Sequence, residues 1–164
     1  MNINMKKALM KITLFFIPAI FSFANGNSAK NVSITDDVPF SRVQRIDWNL
    51  AEVKKGFTTI IIDRANAQRE IYSIRFLEER IRGRGADNLF FAPYTVGPNN
   101  SISIQRIAGT YMAPLFETEN FSEYEYFRNL EKAYRWEFDN WTLKLYTYDE
   151  NNVDVILEFI PIYK

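Results

Sequence analysis

Neither cysteine nor histidine occurs anywhere in the 164 residues, and these two absences exclude more chemistry than any motif adds. Without cysteine there is no disulfide to staple the fold and no thiolate nucleophile or metal ligand. Without histidine there is no Ser-His or Cys-His pair, no imidazole ligand and no usual general base near neutral pH. Carboxylate, lysine and tyrosine chemistry remain open. A charge excess is also missing, since 20 Lys and Arg balance 20 Asp and Glu. That balance gives no electrostatic reason to expect a nucleic-acid partner. What is abundant is Phe and Tyr, 14 and 9 residues, a composition that favours strands and argues against a disordered chain.

The first 24 residues differ from the rest. Lys6, Lys7 and Lys11 precede an uncharged run, Ile12 to Ala24, that ends in Ser22-Phe23-Ala24. A basic start, a short apolar stretch and a small-x-small end mark a secretory signal peptide, cut ahead of Asn25. As a helix the run would be about 20 Å long, short of a bilayer core of about 30 Å, so no permanent membrane span is expected. Removing residues 1–24 takes away three Lys and no acid, leaving 17 basic and 20 acidic residues and a formal charge of −3. The expected localisation is exported, periplasmic or secreted. Residues 25–40 read as a flexible polar lead-in, and 41–164 as one domain of ordinary size.

From Asp47 the chain reads as short strands and turns. Asp47–Val53 places Trp48, Leu50 and, after a shift, Val53 at apolar positions. Thr58–Asp63 is a β-branched run, and Ile71–Phe76 sets Tyr72, Ile74 and Phe76 opposite Ser73 and Arg75. Glu79–Arg82, Asn88–Tyr94 and Ser101–Ile107 follow as strands, with a turn at Gly97-Pro98-Asn99-Asn100. Ser122-x-x-Glu125 is a capping box, with Phe121 and Tyr126 placed as a hydrophobic staple. Apolar residues at helical spacing then predict a helix over 123–134, with Glu131 and Arg135 paired at i,i+4. A closing hairpin joins Thr142–Tyr148 to Val153–Ile160, whose Val153, Val155, Leu157 and Phe159 share a face. The expected class is α+β and β-rich: a mostly antiparallel curved sheet or partly open barrel with one late helix.

Residues 46–160 resemble the META domain, the HslJ-like family of exported bacterial proteins. Trp48-x-Leu50 fits its first strand. Arg82-Gly83-Arg84-Gly85-Ala86-Asp87-Asn88 with Ala92-x-Tyr94 looks like its Gly-x-x-Gly-x-Cys-Asn…Tyr stretch. Thr110-Tyr111-Met112-Ala113-Pro114 looks like its Thr-x-Met-Ala-Cys stretch, and the Leu143-x-Leu145 hairpin follows in matching order. Gly83, Gly85, Asn88, Tyr94, Thr110 and Met112 are therefore the family-motif positions. Asp87 and Pro114 stand where the family often has cysteine, and both thiols are missing together. The resemblance implies the fold, an envelope setting and a stress connection, and supplies no catalytic residues.

Four groups of side chains invite a functional reading. Gly83-x-Gly85 lacks the third glycine and the helix of a dinucleotide site, and fits a bend or bulge. Arg80, Arg82 and Arg84 alternate and project from one side of a strand, suited to a phosphate, a lipid headgroup or an acidic partner, or simply to solvent beside Glu78, Glu79 and Asp87. Glu117, Glu119, Glu123 and Glu125 lack EF-hand spacing and match the field at a helix start. Trp136 and Trp141, with Phe138 between them, would line a ligand groove or fill the core. No catalytic residue, metal site or cofactor is expected. The function expected is a non-enzymatic envelope protein that binds a hydrophobic ligand or a protein partner. Recruitment of another chain through a strand edge is the alternative, and a carboxylate-based hydrolase a more distant one.

Overall fold

The computed structural model describes residues 38–62, 71–112 and 120–162. The signal-peptide reading, most of the lead-in, and Pro114, Glu117 and Glu119 lie outside the described residues. Among those described, the order is a 3₁₀ turn at Phe40–Arg42, then β1 (Asp47–Lys55), β2 (Thr58–Ile61), β3 (Ser73–Phe76), β4 (Arg80–Arg84), β5 (Leu89–Val96), β6 (Ile102–Ile104) and β7 (Ala108–Gly109). Helix α1 (Glu123–Glu131) precedes β8 (Arg135–Asp139), β9 (Thr142–Tyr148) and β10 (Asp154–Pro161).

Eight strands form one antiparallel path, β6-β5-β4-β3-β1-β10-β9-β8, with β2 paired to β1 and β7 to β5. The path nearly closes. Ser101 and Arg135 form a bridge, Ile102 N–H donates to Tyr134 O at 3.1 Å, and Trp136 N–H donates to Asn100 O at 2.9 Å. The expected partly open barrel is thus a nearly closed one. The shift read in the first strand is a register irregularity between Leu50 and Glu52, which returns Val53 to the inner face.

Alternation builds the core. Ile74 and Phe76 on β3, Phe90, Ala92 and Tyr94 on β5, Leu143 and Leu145 on β9, and Val155, Leu157 and Phe159 on β10 are all buried. Aromatic rings plug the two ends. At one end α1 lowers Tyr126 onto Tyr72 and Phe90, with ring centroids 5.3 and 5.9 Å apart. At the other, Phe40 meets Phe76 and Trp136 edge-on at 5.2 and 4.9 Å.

The capping box forms as read: Glu125 N–H donates to Ser122 Oγ, and Glu125 Oε2 accepts from Ser122 N–H. The staple also forms, Phe121 lying 6.4 Å from Tyr126. The helix, however, stops at Glu131, not Tyr134. Ala133 N–H turns back to Leu130 O, and Tyr134 N–H donates to Tyr146 O, so strand pairing captures the chain before another turn can form. Glu131 consequently pairs with Arg128 rather than Arg135, and Arg135 pairs with Glu137. Arg135–Asp139 is a strand that the residue pattern did not indicate, and Val153 lies exposed outside β10.

Candidate functional site

The glycine-bearing strand β4 leads into a buried polar cluster beside α1. Gly85 is buried, and a Cβ there would fall 2.2 Å from Glu123 Oε1. The absence of a side chain at Gly85 is what admits the carboxylate. Glu123, the first residue of α1, is 7 % exposed. Its Oε1 accepts from Asp87 N–H at 3.1 Å and Asn88 N–H at 2.9 Å, while Oε2 accepts from Asn88 Nδ2. Asn88 Oδ1 accepts from Thr110 Oγ1 at 2.9 Å and Met112 N–H at 2.8 Å, and its Nδ2 also donates to Met112 O. One asparagine thus ties β5, the chain after β7 and the helix start together.

This cluster absorbs most of the family-motif positions. Gly83 is the second close approach, since a Cβ there would fall 2.0 Å from Ser73 O and under 3 Å from the Phe90 ring. Neither glycine has positive φ, so lack of space, not backbone conformation, selects them. Tyr94 works at the other end of the barrel, donating to Leu77 O at 2.6 Å and accepting from Gln44 Nε2 at 2.8 Å. Burial pushes its hydroxyl above the usual tyrosine value, against the lowering effect of Gln44. Sequence reasoning missed Gln44 altogether, and it read Glu123 as an acid at a helix start and not as the anchor of this cluster. One signal was available for Glu123: the capping box needs only Glu125, so a second acid in the same turn was surplus.

The outer face over the same strands is different in character. Arg80 and Arg82 are exposed and Arg84 half-buried, and Arg75 stands directly across from Arg82. Leu89 and Phe91, 53 % and 51 % exposed, pair with Arg84 and Arg82 on the neighbouring strand. Together with Arg75 and Asp47 these residues line a shallow depression of about 530 Å³.

The two tryptophans part company. Trp136 is 2 % exposed inside the barrel, whereas Trp141 is 57 % exposed in the β8–β9 turn. They do not share a groove: Trp141 lines a depression with Phe138, Arg42, Pro39 and Asn140, while Trp136 is core.

The sequence model of the META domain matches residues 41–158. The chain belongs to the META domain family. The polar cluster of this META domain is built from the residues that carried the resemblance, with Asp87 buried where a cysteine often stands. Among solved structures, a protein from Burkholderia xenovorans determined by NMR is similar with a TM-score of 0.58 and 16 % identity, over 76 % of this chain and 86 % of that one. A duf4847 family protein from Bacteroides vulgatus aligns with a TM-score of 0.49 and 12 % identity, over 74 % of this chain and 95 % of that one. The first likeness supports the fold alone. No curated protein matches the chain significantly.

Proposed function

We propose that this META domain is a non-enzymatic, exported binding module that holds its partner on the outside of the barrel. The observation that carries the reading is the filled interior. Trp48, Tyr72, Tyr126, Phe76 and Phe159 are among the largest fully buried side chains, and both ends are closed by rings. A hydrophobic ligand would have to displace side chains that already supply the core's packing. The polar cluster is equally committed: Glu123 meets three N–H donors, which argues for architecture rather than acid–base work. The outer surface is left, with exposed Phe91, Leu89 and Trp141.

Native mass spectrometry of residues 25–164, purified after export without detergent, tests this. Added mass that is lost on denaturation and lost in outer-face variants supports the module. A small apolar ligand retained by those variants would place the site inside and end the reading.

Strand-edge recruitment has one observation in its favour. Among the described strands β2 pairs with β1 alone, and Phe57 and Ile61 beside that edge are exposed. Cross-linking that captures a second chain at Thr58–Ile61 would favour it.

A further inference from the structure

We propose that the outer face of β3, β4 and β5 docks on an anionic phospholipid surface, with Arg80 and Arg82 meeting lipid phosphates and Leu89 and Phe91 entering the interface between headgroups and acyl chains. The proposal rests on the reading that the partner is held outside the barrel, and it names the chemistry of that partner.

The first argument is uncompensated charge. Every second residue of β4 is arginine, so three guanidinium groups leave the strand on one side. The cross-strand neighbour of Arg82 on β3 is a fourth, Arg75, although like charges directly opposite weaken a sheet. Few of the nearby acids reach Arg80 or Arg82. Asp47 pairs with Arg75 at 3.2 Å, and Glu78 pairs with Arg45 at 2.7 Å. Asp87 is 2 % exposed, and Glu79, exposed in the β3–β4 turn, makes no ion pair among the described residues. Arg84 donates to the Asp87 carbonyl at 3.2 Å. Arg80 and Arg82 are left with no carboxylate partner among the described residues. Two guanidinium groups left without a carboxylate, side by side on one exposed face, suit an external anion.

The second argument is the apolar pair set among those charges. On β5, Leu89 stands across from Arg84 and Phe91 across from Arg82, both about half exposed. A protein partner is usually met by an apolar centre inside a polar rim. Here an arginine row on β4 lies alongside an apolar row on β5, Arg84 beside Leu89 and Arg82 beside Phe91, so the cations flank the hydrocarbon on one side of a shallow depression and do not ring it. That arrangement suits a membrane surface, where guanidinium groups take phosphates and an aromatic ring settles at headgroup depth. The chain as a whole carries no net positive charge, so the attraction would belong to this face and not to the overall charge.

Co-sedimentation of residues 25–164 with vesicles tests the proposal; residues 1–24 are omitted because their apolar run would itself bind lipid. Residues 36–164 form one compact unit, so the omission leaves the domain whole. Vesicles containing phosphatidylglycerol should bind the protein and phosphatidylcholine alone should not, with binding falling as salt rises. Arg80→Gln with Arg82→Gln should weaken binding about tenfold or more, and Phe91→Ser should weaken it while the thermal midpoint stays close to wild type. Absence of binding to phosphatidylglycerol vesicles, or equal binding by the double arginine variant, overturns the proposal. A protein partner retained in native mass spectrometry, with no vesicle binding, sinks the membrane and leaves the outer-surface module standing. No partner and no vesicle binding sinks both.

Discussion

Gly85 and Glu123 are complementary in shape. The glycine leaves the space that the carboxylate fills, and a single methyl at Gly85 would lie 2.2 Å from Oε1. Gly85→Ala should therefore destabilise the domain by about 2 kcal/mol or more, since overpacking here pushes a hydrogen-bonded carboxylate off its donors. Gly83→Ala should cost at least as much, because the opposing atom is the Ser73 carbonyl. Denaturant midpoints of the two variants check this; a wild-type value for either would show that the close approach is relieved in solution.

Removing the carboxylate tests the same relationship from the other side. Glu123→Ala leaves the Asp87 and Asn88 N–H groups buried without an acceptor, at a cost of about 2–4 kcal/mol. Asn88→Ala should cost a similar amount, and the double variant much less than the sum, with coupling of about 1–3 kcal/mol. Strict additivity in a double-mutant cycle would mean the two residues act independently.

The tryptophans should respond oppositely. Trp136→Ala empties a site beside Phe40 and should cost about 3–5 kcal/mol. Trp141→Ala at the exposed turn should leave the midpoint within about 1 kcal/mol of wild type. Equal losses in thermal unfolding would contradict their placement.

Stability should be level across neutral pH and fall on both flanks. With no histidine, no side chain of usual pKa titrates between about pH 5 and pH 9. On the acid side, the Lys55 hydrogen bond and the Val153 N–H hold Asp149 at about 2, below its ordinary 3.8. The Tyr146 hydroxyl lowers Glu137 from 4.5, against some burial. Both contributions are present above the ordinary values and are lost as pH falls through the folded ones. On the alkaline side, burial raises Tyr126 well above 10 and raises Tyr94 too. Their contribution is intact below pH 10 and is lost as pH rises. Asp149→Asn should thus melt below wild type at pH 7, with the gap closing near pH 2. A gap that persists unchanged at pH 2 would falsify the assignment to charge.

Strands with a buried face were legible because alternation is a local signal: Tyr72, Ile74 and Phe76 lie inside as spaced, and the irregularity after Leu50 appears where the pattern shifted. Arg135–Asp139 was not legible. Its turn to β9 is Asn140-Trp141, with φ of 47° and 60°, a two-residue loop that normally announces itself with glycine. The helix end was hidden for a different reason, since the apolar spacing continues to Tyr134 and only pairing with Tyr146 interrupts it. The polar cluster was visible as motif letters and not as a function. Nothing local tells that Gly85 makes room for a residue 38 positions later.

The pairing of β1 with β10 joins the two ends of the domain, Trp48 facing Pro161 and Lys55 facing Val155. The central seam of the sheet therefore waits for the last strand, and no N-terminal portion can complete it alone. Such long-range pairing slows folding. A chain that emerges progressively can form its local hairpins early, but it cannot close the sheet until its final residues arrive.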